Sequence, residues 1–159
     1  MGTVGHTNRG RDGCRVPLPW SGEAPPFGYG PDGSTPWLPQ PAEWKNLTAE
    51  AQADDPGSML TLYRRALRLR RAEPALTGGG QLTWLPSPEG VLCYQRGGGA
   101  DAVTVMINLS GGPVSLPPHS TILMTSAPLI PAPEPGDSPS LPADTGAWLR
   151  RRNAADGIG

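Results

Sequence analysis

The sequence predicts a mainly β chain, with an antiparallel β-sandwich at its C-terminal end. One long helix and a long irregular N-terminal segment precede that sandwich. Glycine and proline account for 22 and 21 of the 159 residues, a level typical of chains with extensive loops. The excess lies in 1–57, 78–100 and 126–146. Only the helix-like and strand-like stretches between these regions have the apolar periodicity needed to bury a core.

The N-terminal 50 residues predict irregular structure, because their prolines exclude helix and disfavour central strands. Aromatic residues occur between the prolines, at Trp20, Phe27, Trp37 and Trp44. Flat aromatic rings of this kind have two interpretations: they anchor a loop on a neighbouring core, or they form a surface on which a sugar ring stacks. Ordering each residue costs about 1–2 kcal/mol of backbone entropy. We therefore expect little regular structure and fast amide exchange in 1–50.

One helix is predicted from Asp55 to Pro74. Asp55 is a favourable N-cap and Pro56 suits the first helical position, where its missing N–H costs nothing. Glu73-Pro74 predicts the end, since proline disfavours a helical residue before it. Its apolar face comprises Met59, Leu62, Tyr63, Ala66 and Leu69, and the opposite face carries Arg64, Arg65, Arg68 and Arg71. These arginines indicate a solvated face, or alternatively a stripe that binds nucleic acid.

Short strands separated by glycine and proline turns favour an antiparallel sandwich or small barrel beyond the helix. The strands are predicted at 81–85, 91–96, 102–109, 114–116 and 121–124, with a last one at 147–149. The predicted core residues are Val91 or Leu92, Val103, Val105, Ile107, Leu109 and Ile122. We expect a proline-rich loop at 126–142 and a disordered tail at 151–159.

Composition and motifs exclude several functional classes. A net charge of −1 gives no general attraction to nucleic acid or membrane, and we expect neither as a partner. No metal-ligand spacing and no phosphate-binding loop occur, so no metal or cofactor is predicted. No apolar run approaches the length of a membrane span, and the first residues lack the apolar core of a signal peptide. A cytoplasmic location is the default expectation.

Charged residues near the N-terminus are the candidate ligand contacts. Arg11, Asp12 and Arg15 lie close enough in sequence for local ion pairing. A carboxylate that fixes a guanidinium lets it present donors to a hydroxylated ligand. The alternative is a surface loop with incidental charges.

The segment 5–20 carries a more specific signal. Its sequence resembles the segment that closes the catalytic barrel in α-glucosidases of the α-amylase superfamily, glycoside hydrolase family thirteen, with the oligo-1,6-glucosidase type nearest. The family motif Arg-Asp-x-x-Arg-x-Pro, followed shortly by Trp, is present at Arg11, Asp12, Arg15, Pro17 and Trp20. The predicted helix resembles the last helix of that TIM-like barrel. The strands resemble the C-terminal β-sandwich, and the likeness covers about 5–150.

The resemblance implies a domain organisation and a function. It implies a remnant of the catalytic barrel at 1–76 and a C-terminal β-sandwich at 77–150. The chain would be the C-terminal part of a retaining α-glucosidase that hydrolyses α-glucosidic bonds in oligosaccharides. In this family the nucleophile, the acid/base and the third carboxylate lie upstream of the matched motif. We therefore expect no activity from this chain alone and a catalytic barrel encoded upstream as its partner.

The same resemblance implies that Asp12, Arg15 and Trp20 border the sugar pocket of the complete enzyme, as substrate-side or loop-fixing residues. Asp12 corresponds to none of the three catalytic carboxylates. A different class of function also fits the residues, namely a stand-alone β-sandwich that binds carbohydrate or a protein partner. The genomic sequence upstream of Met1 would discriminate between the two.

Overall fold

The computed structural model describes residues 15–78, 80–118 and 121–150. The chain divides into two compact units, Met1–Arg64 and Arg65–Gly159. This boundary falls within a helix, and the two units are considered separately. The predicted tail at 151–159 lies outside the described residues.

The described part of the first unit begins with an irregular stretch, as predicted. Residues 15–41 form turns and bends, without helix or strand. A 3₁₀ helix then spans Ala42–Leu47, and helix α1 spans Ala49–Ala53. Thr48 separates them, and its hydroxyl accepts the Ala51 N–H at 3.1 Å as an N-cap. This cap satisfies one of the donors that a helix start leaves free.

The long helix α2 spans Met59–Ala72 and begins three residues later than predicted. The prediction of an Asp55 cap is wrong, because its carboxylate accepts the Gly57 N–H at 2.8 Å and closes a local turn. Such side-chain bonds compete with helix formation. Ser58 is the cap instead, since its hydroxyl accepts the Thr61 N–H at 3.2 Å. The predicted end is confirmed, and a short helix α3, Pro74–Thr77, follows with proline in its first turn.

Among its described residues, the second unit carries seven strands: β1 Leu82–Trp84, β2 Val91–Arg96, β3 Val103–Asn108, β4 Val114–Ser115, β5 Thr121–Thr125, β6 Ser140–Leu141 and β7 Thr145–Arg150. A second 3₁₀ helix spans Gly99–Asp101. Five strands form an antiparallel sheet in the order β1-β2-β3-β7-β5, and β4 pairs with β6. The predicted antiparallel, strand-dominated architecture is confirmed. The predicted loop at 126–142 contains β6.

Both faces of the central strand β3 are buried. Val103 and Val105 lie in one cluster with Ala75. Met106, on the opposite face, lies in a second cluster with Val91, Cys93, Leu116, Leu141, Ala147 and Leu149. The prediction placed only one face of β3 in the core, so it missed most of this second cluster.

The predicted core residues divide into two groups. Val91, Val103 and Val105 are confirmed as buried, and Ile107 is half-buried. The prediction is wrong for Leu109, which is 59% exposed, because β3 ends before it and the two-residue alternation ends there. It is also wrong for Ile122, which lies exposed on the edge strand β5. A register shift between Ile122 and Met124 breaks the alternation at that point.

Candidate functional site

The three predicted site residues differ in what the structure shows of them. Asp12 lies outside the described residues, and Arg15 is exposed. Trp20 has a fixed backbone and a side chain that is 52% exposed. The backbone N–H of Trp20 donates to the Phe27 carbonyl at 2.8 Å, and the Trp20 carbonyl accepts the backbone N–H of Glu50 at 2.9 Å. The indole is therefore presented from a rigid turn.

The turn around Trp20 is built on Phe27, the only phenylalanine in the chain. Phe27 is fully buried, and its carbonyl also accepts the Ser21 N–H at 3.1 Å. Gly28 follows with φ of 71°, where a Cβ would overlap the Ser21 hydroxyl. Only glycine tolerates both that backbone region and that approach. The sequence singled out the aromatic residues of this segment but gave no means of choosing the one that is buried.

The same turn is fastened to the start of α1. The Ala49 N–H donates to the Pro19 carbonyl at 3.2 Å. The Glu50 carboxylate accepts the Gly22 N–H at 2.9 Å. Loop carbonyls thus satisfy backbone donors that a helix start leaves without partners. These bonds hold the segment that carries Trp20 against α1.

An open apolar groove of about 520 Å³ lies in the first unit. We call it the unit 1 groove, and its lining comprises Leu18, Pro19, Leu47, Ala49, Gln52, Met59, Leu60 and Tyr63. No charged side chain lines it. Leu18 and Met59 are 60% and 61% exposed. Contiguous apolar surface of this kind marks a binding or interaction site more often than scattered single residues do.

A smaller cavity of about 280 Å³ lies in the second unit. We call it the sheet cavity, and its lining comprises Arg70, Leu76, Leu82, Tyr94, Arg96, Val105 and Trp148. Beside it, Trp84 is 63% exposed and meets Tyr94 edge to face, with ring centroids 5.4 Å apart. Arg96 is held in place because its guanidinium donates to the Gly78 carbonyl at 3.0 Å. The cavity therefore combines aromatic surface with cationic donors.

The chemistry available in these two sites is limited to binding. Neither lining contains a carboxylate, histidine, serine or cysteine, so neither supplies the pair of carboxyl groups that a retaining glycosidase uses. Within 15–78, 80–118 and 121–150, no cluster of three or more metal-binding side chains occurs. No helix in that part of the chain is both long and apolar enough to cross a bilayer.

Comparison with known families and sequences confirms the resemblance found in the sequence. The family model for the alpha amylase catalytic domain matches residues 3–79. A probable alpha-glucosidase of Rhizobium meliloti is 37% identical over 102 residues, covering 64% of this chain and 18% of the relative. A probable oligo-1,6-glucosidase of Bacillus subtilis is 30% identical over 122 residues, covering 77% of this chain and 21% of the relative. The chain thus spans about a fifth of the length of these relatives.

Comparison with solved structures gives the same fold. The crystal structure of an isomaltulose synthase from a Klebsiella species matches with a TM-score of 0.71. The match has 24% sequence identity and covers 89% of this chain and 26% of that one. At this identity the likeness concerns the fold alone.

Proposed function

We propose that this chain, a member of the α-amylase family, is the C-terminal part of a retaining α-glucosidase that acts on α-glucosidic bonds in oligosaccharides. The match of the catalytic-domain model to residues 3–79 carries this proposal. The relatives from Rhizobium meliloti and Bacillus subtilis, a probable alpha-glucosidase and a probable oligo-1,6-glucosidase, supply the activity class. Because the chain spans about a fifth of those relatives, the hydrolytic activity belongs to the complete enzyme.

The proposal assigns the two parts of the chain different roles. Residues 1–76 are the part that closes the catalytic barrel, and 77–150 form a C-terminal β-sandwich. The second core cluster favours the sandwich, since it joins residues of the five-stranded sheet to Leu141 of the β4–β6 pair. Facing sheets bury their apolar residues between them in this way.

The chain by itself is proposed to be inactive. A retaining glycosidase needs a carboxylate nucleophile and a carboxylic acid roughly 5–5.5 Å apart. A complete barrel of this type takes about 250 residues, more than the 159 present here. By the family resemblance, the catalytic carboxylates belong to the upstream part of the barrel, which we propose as the chain's partner.

Asp12, Arg15 and Trp20 are proposed to border the sugar pocket of the complete enzyme. The turn bonded to α1 supports this for Trp20, because it fixes the backbone while leaving the indole half exposed. An indole in that position serves as a packing anchor for the rest of the barrel or as a sugar platform. Arg15 is exposed and free to present its planar donors to a hydroxylated ligand.

The experiment that tests the proposal uses a chimera in which residues 5–150 replace the corresponding segment of the Rhizobium meliloti relative. We expect the chimera to release glucose from maltose, isomaltose or an aryl α-glucoside, and the purified chain alone to release none. Turnover by the chain alone that survives repurification would contradict the proposal. A chimera that folds but has no activity, beside an active relative, would also contradict it.

A second candidate function is stand-alone carbohydrate binding by the second unit. The exposed Trp84 ring beside Tyr94 and the sheet cavity favours it, because a flat aromatic face can cover the C–H face of a sugar ring. Calorimetric titration of the purified chain with maltose and isomaltose tests it. If the second unit binds these sugars, Trp84→Ala should abolish binding. Trp37 is an exposed tryptophan of the first unit, and Trp37→Ala should leave binding intact.

A further inference from the structure

We propose that the sheet cavity binds a monosaccharide that carries an oxyanion, either a phosphate or a carboxylate group. Arg70 and Arg96 hold the oxyanion, and the aromatic side chains that line the cavity beside them cover the sugar ring. This goes beyond hydrolysis of α-glucosidic bonds, because it concerns binding by the second unit alone. It also differs from the second candidate function, in which a neutral sugar lies on Trp84.

The charge of the cavity favours an anion. Among the described residues that line it, Arg70 and Arg96 are charged and none is a carboxylate. Across the described part of the chain, neither guanidinium forms an ion pair. Glu73, the carboxylate one turn after Arg70, is bonded to Arg150 instead. Neighbouring cations without a counter-ion raise the local concentration of small anions.

Arg96 is held in position before a ligand binds. Its Nη2 atom donates to the Gly78 carbonyl at 3.0 Å, and the guanidinium keeps its other N–H donors. The next residue, Gly97, has φ of 70° and lies against α3, because a Cβ there would be 3.0 Å from the Ala75 Cβ. The planar donors of a fixed guanidinium match two oxygens of a phosphate or of a carboxylate, so both groups fit this chemistry.

One face of the sheet supplies the aromatic wall. Tyr94 and Arg96 lie two positions apart on β2 and therefore share that face. Val105 pairs with Tyr94 on one side and with Trp148 on the other, so the two aromatic residues flank a small aliphatic one. Each combines an apolar ring with a polar atom, which suits both the C–H face and the hydroxyl groups of a sugar. A simple aromatic acid would use only the apolar part.

The size of the cavity limits the ligand to one ring. Its volume is about 280 Å³, whereas pockets for drug-sized ligands hold about 300–1,000 Å³. Leu76 of α3 also lines it, and this residue packs against the buried cluster of Val103 and Val105. An oligosaccharide would therefore extend out of the cavity, so the ligand that fills it is a monosaccharide.

Isothermal titration calorimetry of the full chain, in a low-salt buffer without phosphate, tests the proposal. The ligands are glucose 6-phosphate and glucuronate. Glucose, inorganic phosphate and acetate are the comparisons that carry only the ring or only the anion. We expect a charged sugar to bind about tenfold or more tightly than each of these, as for a gain of one charged hydrogen bond. The charged sugar that binds more tightly identifies the oxyanion, and added salt should weaken its binding.

Two variants of α2 separate the cavity from the general charge of the chain. Arg70→Gln removes a cation from the lining and should weaken binding of the charged sugar by about tenfold or more. Arg68→Gln makes the same change in charge on the same helix, outside the lining, and should alter the affinity by less than about twofold. Both arginines are exposed, so we expect both variants to fold, and thermal melts check this.

Three results would overturn the proposal. The first is that the charged sugars bind no more tightly than glucose, or do not bind, because the cavity then does not select an anion. The second is that inorganic phosphate or acetate binds as tightly as the charged sugar, because the ring then contributes nothing. The third is an equal loss in Arg70→Gln and Arg68→Gln. None of these results bears on the chimera, whose activity tests the proposed function separately.

Discussion

Arg150 and Glu73 lie 77 positions apart and form an ion pair at the end of β7. The Arg150 Nη2 atom lies 2.6 Å from one Glu73 carboxylate oxygen and 2.7 Å from the other. The Glu73 side chain is almost fully buried, whereas that of Arg150 is 40% exposed. The residue between α2 and α3 is thereby bonded to the last strand of the sheet.

We expect Glu73→Gln to lower the free energy of unfolding by about 1–2 kcal/mol. A hydrogen bond to a charged partner contributes about 1.5–3 kcal/mol when it is shielded from solvent. The contribution is smaller here because water screens the partly exposed Arg150. Urea denaturation of the full chain measures the change. Glu89→Gln, at an exposed position of the same unit, is the control and should change stability by less than about 0.5 kcal/mol. Equal effects of the two substitutions would show that the pair contributes nothing.

Asn108 is predicted to be the most sensitive polar position of the sheet. It is fully buried, and the two N–H groups of its amide are shared among the carbonyls of Gly112, Leu141 and Pro142, whose oxygens lie 2.9–3.0 Å from the amide nitrogen. Its oxygen accepts from both the N–H and the hydroxyl of Ser110. Asn108→Ala leaves these groups without their partner, so we expect a loss of about 2–4 kcal/mol in denaturation experiments.

The control for Asn108 is Asn46→Ala, because Asn46 is an exposed asparagine of the 3₁₀ helix. We expect it to change stability by less than about 0.5 kcal/mol. A loss below 1 kcal/mol at Asn108 would mean that water replaces the missing amide at little cost.

Cys93 is predicted to be unreactive in the folded chain. Burial raises the pKa of its thiol above the ordinary value of 9.0, because desolvation disfavours the thiolate. In the Cys14→Ser variant, iodoacetamide should therefore modify Cys93 much more slowly in buffer than in denaturant, as followed by mass spectrometry. Equal rates in the two solvents would contradict the burial.

The same thiol gives a signed pH dependence. The unfolded chain loses this proton at a lower pH than the folded chain does, so the stabilisation is complete below pH 9.0 and declines as the pH rises further. Comparison of the wild type with Cys93→Ala between pH 8 and pH 11 isolates this contribution. The wild type should show the steeper fall, and parallel curves would contradict the prediction.

Amide exchange should be slowest in β3. This strand is paired on both sides, with β2 and β7, and its side chains are mostly buried. Residues 15–41 contain few backbone hydrogen bonds, so we expect fast exchange there, with the Phe27 turn as the slowest part. Protection across 15–41 equal to that of β3 would show that the segment is far more stable than its contacts indicate.

Arg15 is predicted to contribute to catalysis in the complete enzyme. In the chimera, Arg15→Ala should lower kcat/KM by about tenfold or more, as expected for the loss of one charged hydrogen bond of about 1.5–3 kcal/mol. Arg68→Ala, on the exposed face of α2, should leave kcat/KM nearly unchanged. Small and equal effects would remove Arg15 from the site.

The sequence by itself determined the local elements of this protein. A short strand-like run followed by a glycine turn predicted β2 with the bounds that the structure has, because turn residues act over a few positions. Pro74 fixed the end of α2 for an equally local reason. The motif around Arg15 and Trp20 indicated the family, since its residues are close in sequence.

Only the tertiary structure decided which of these residues meet. The burial of both faces of β3 depends on strands as distant in sequence as β7. The roles of Phe27, Asn108 and Glu73 depend on partners that only the folded chain brings next to them. The start of α2 was settled by competition between two nearby caps, Asp55 and Ser58, which sequence preference alone ranks alike. These arrangements and the unit 1 groove result from packing between segments that are distant in sequence, rather than from the secondary-structure propensity of any one segment.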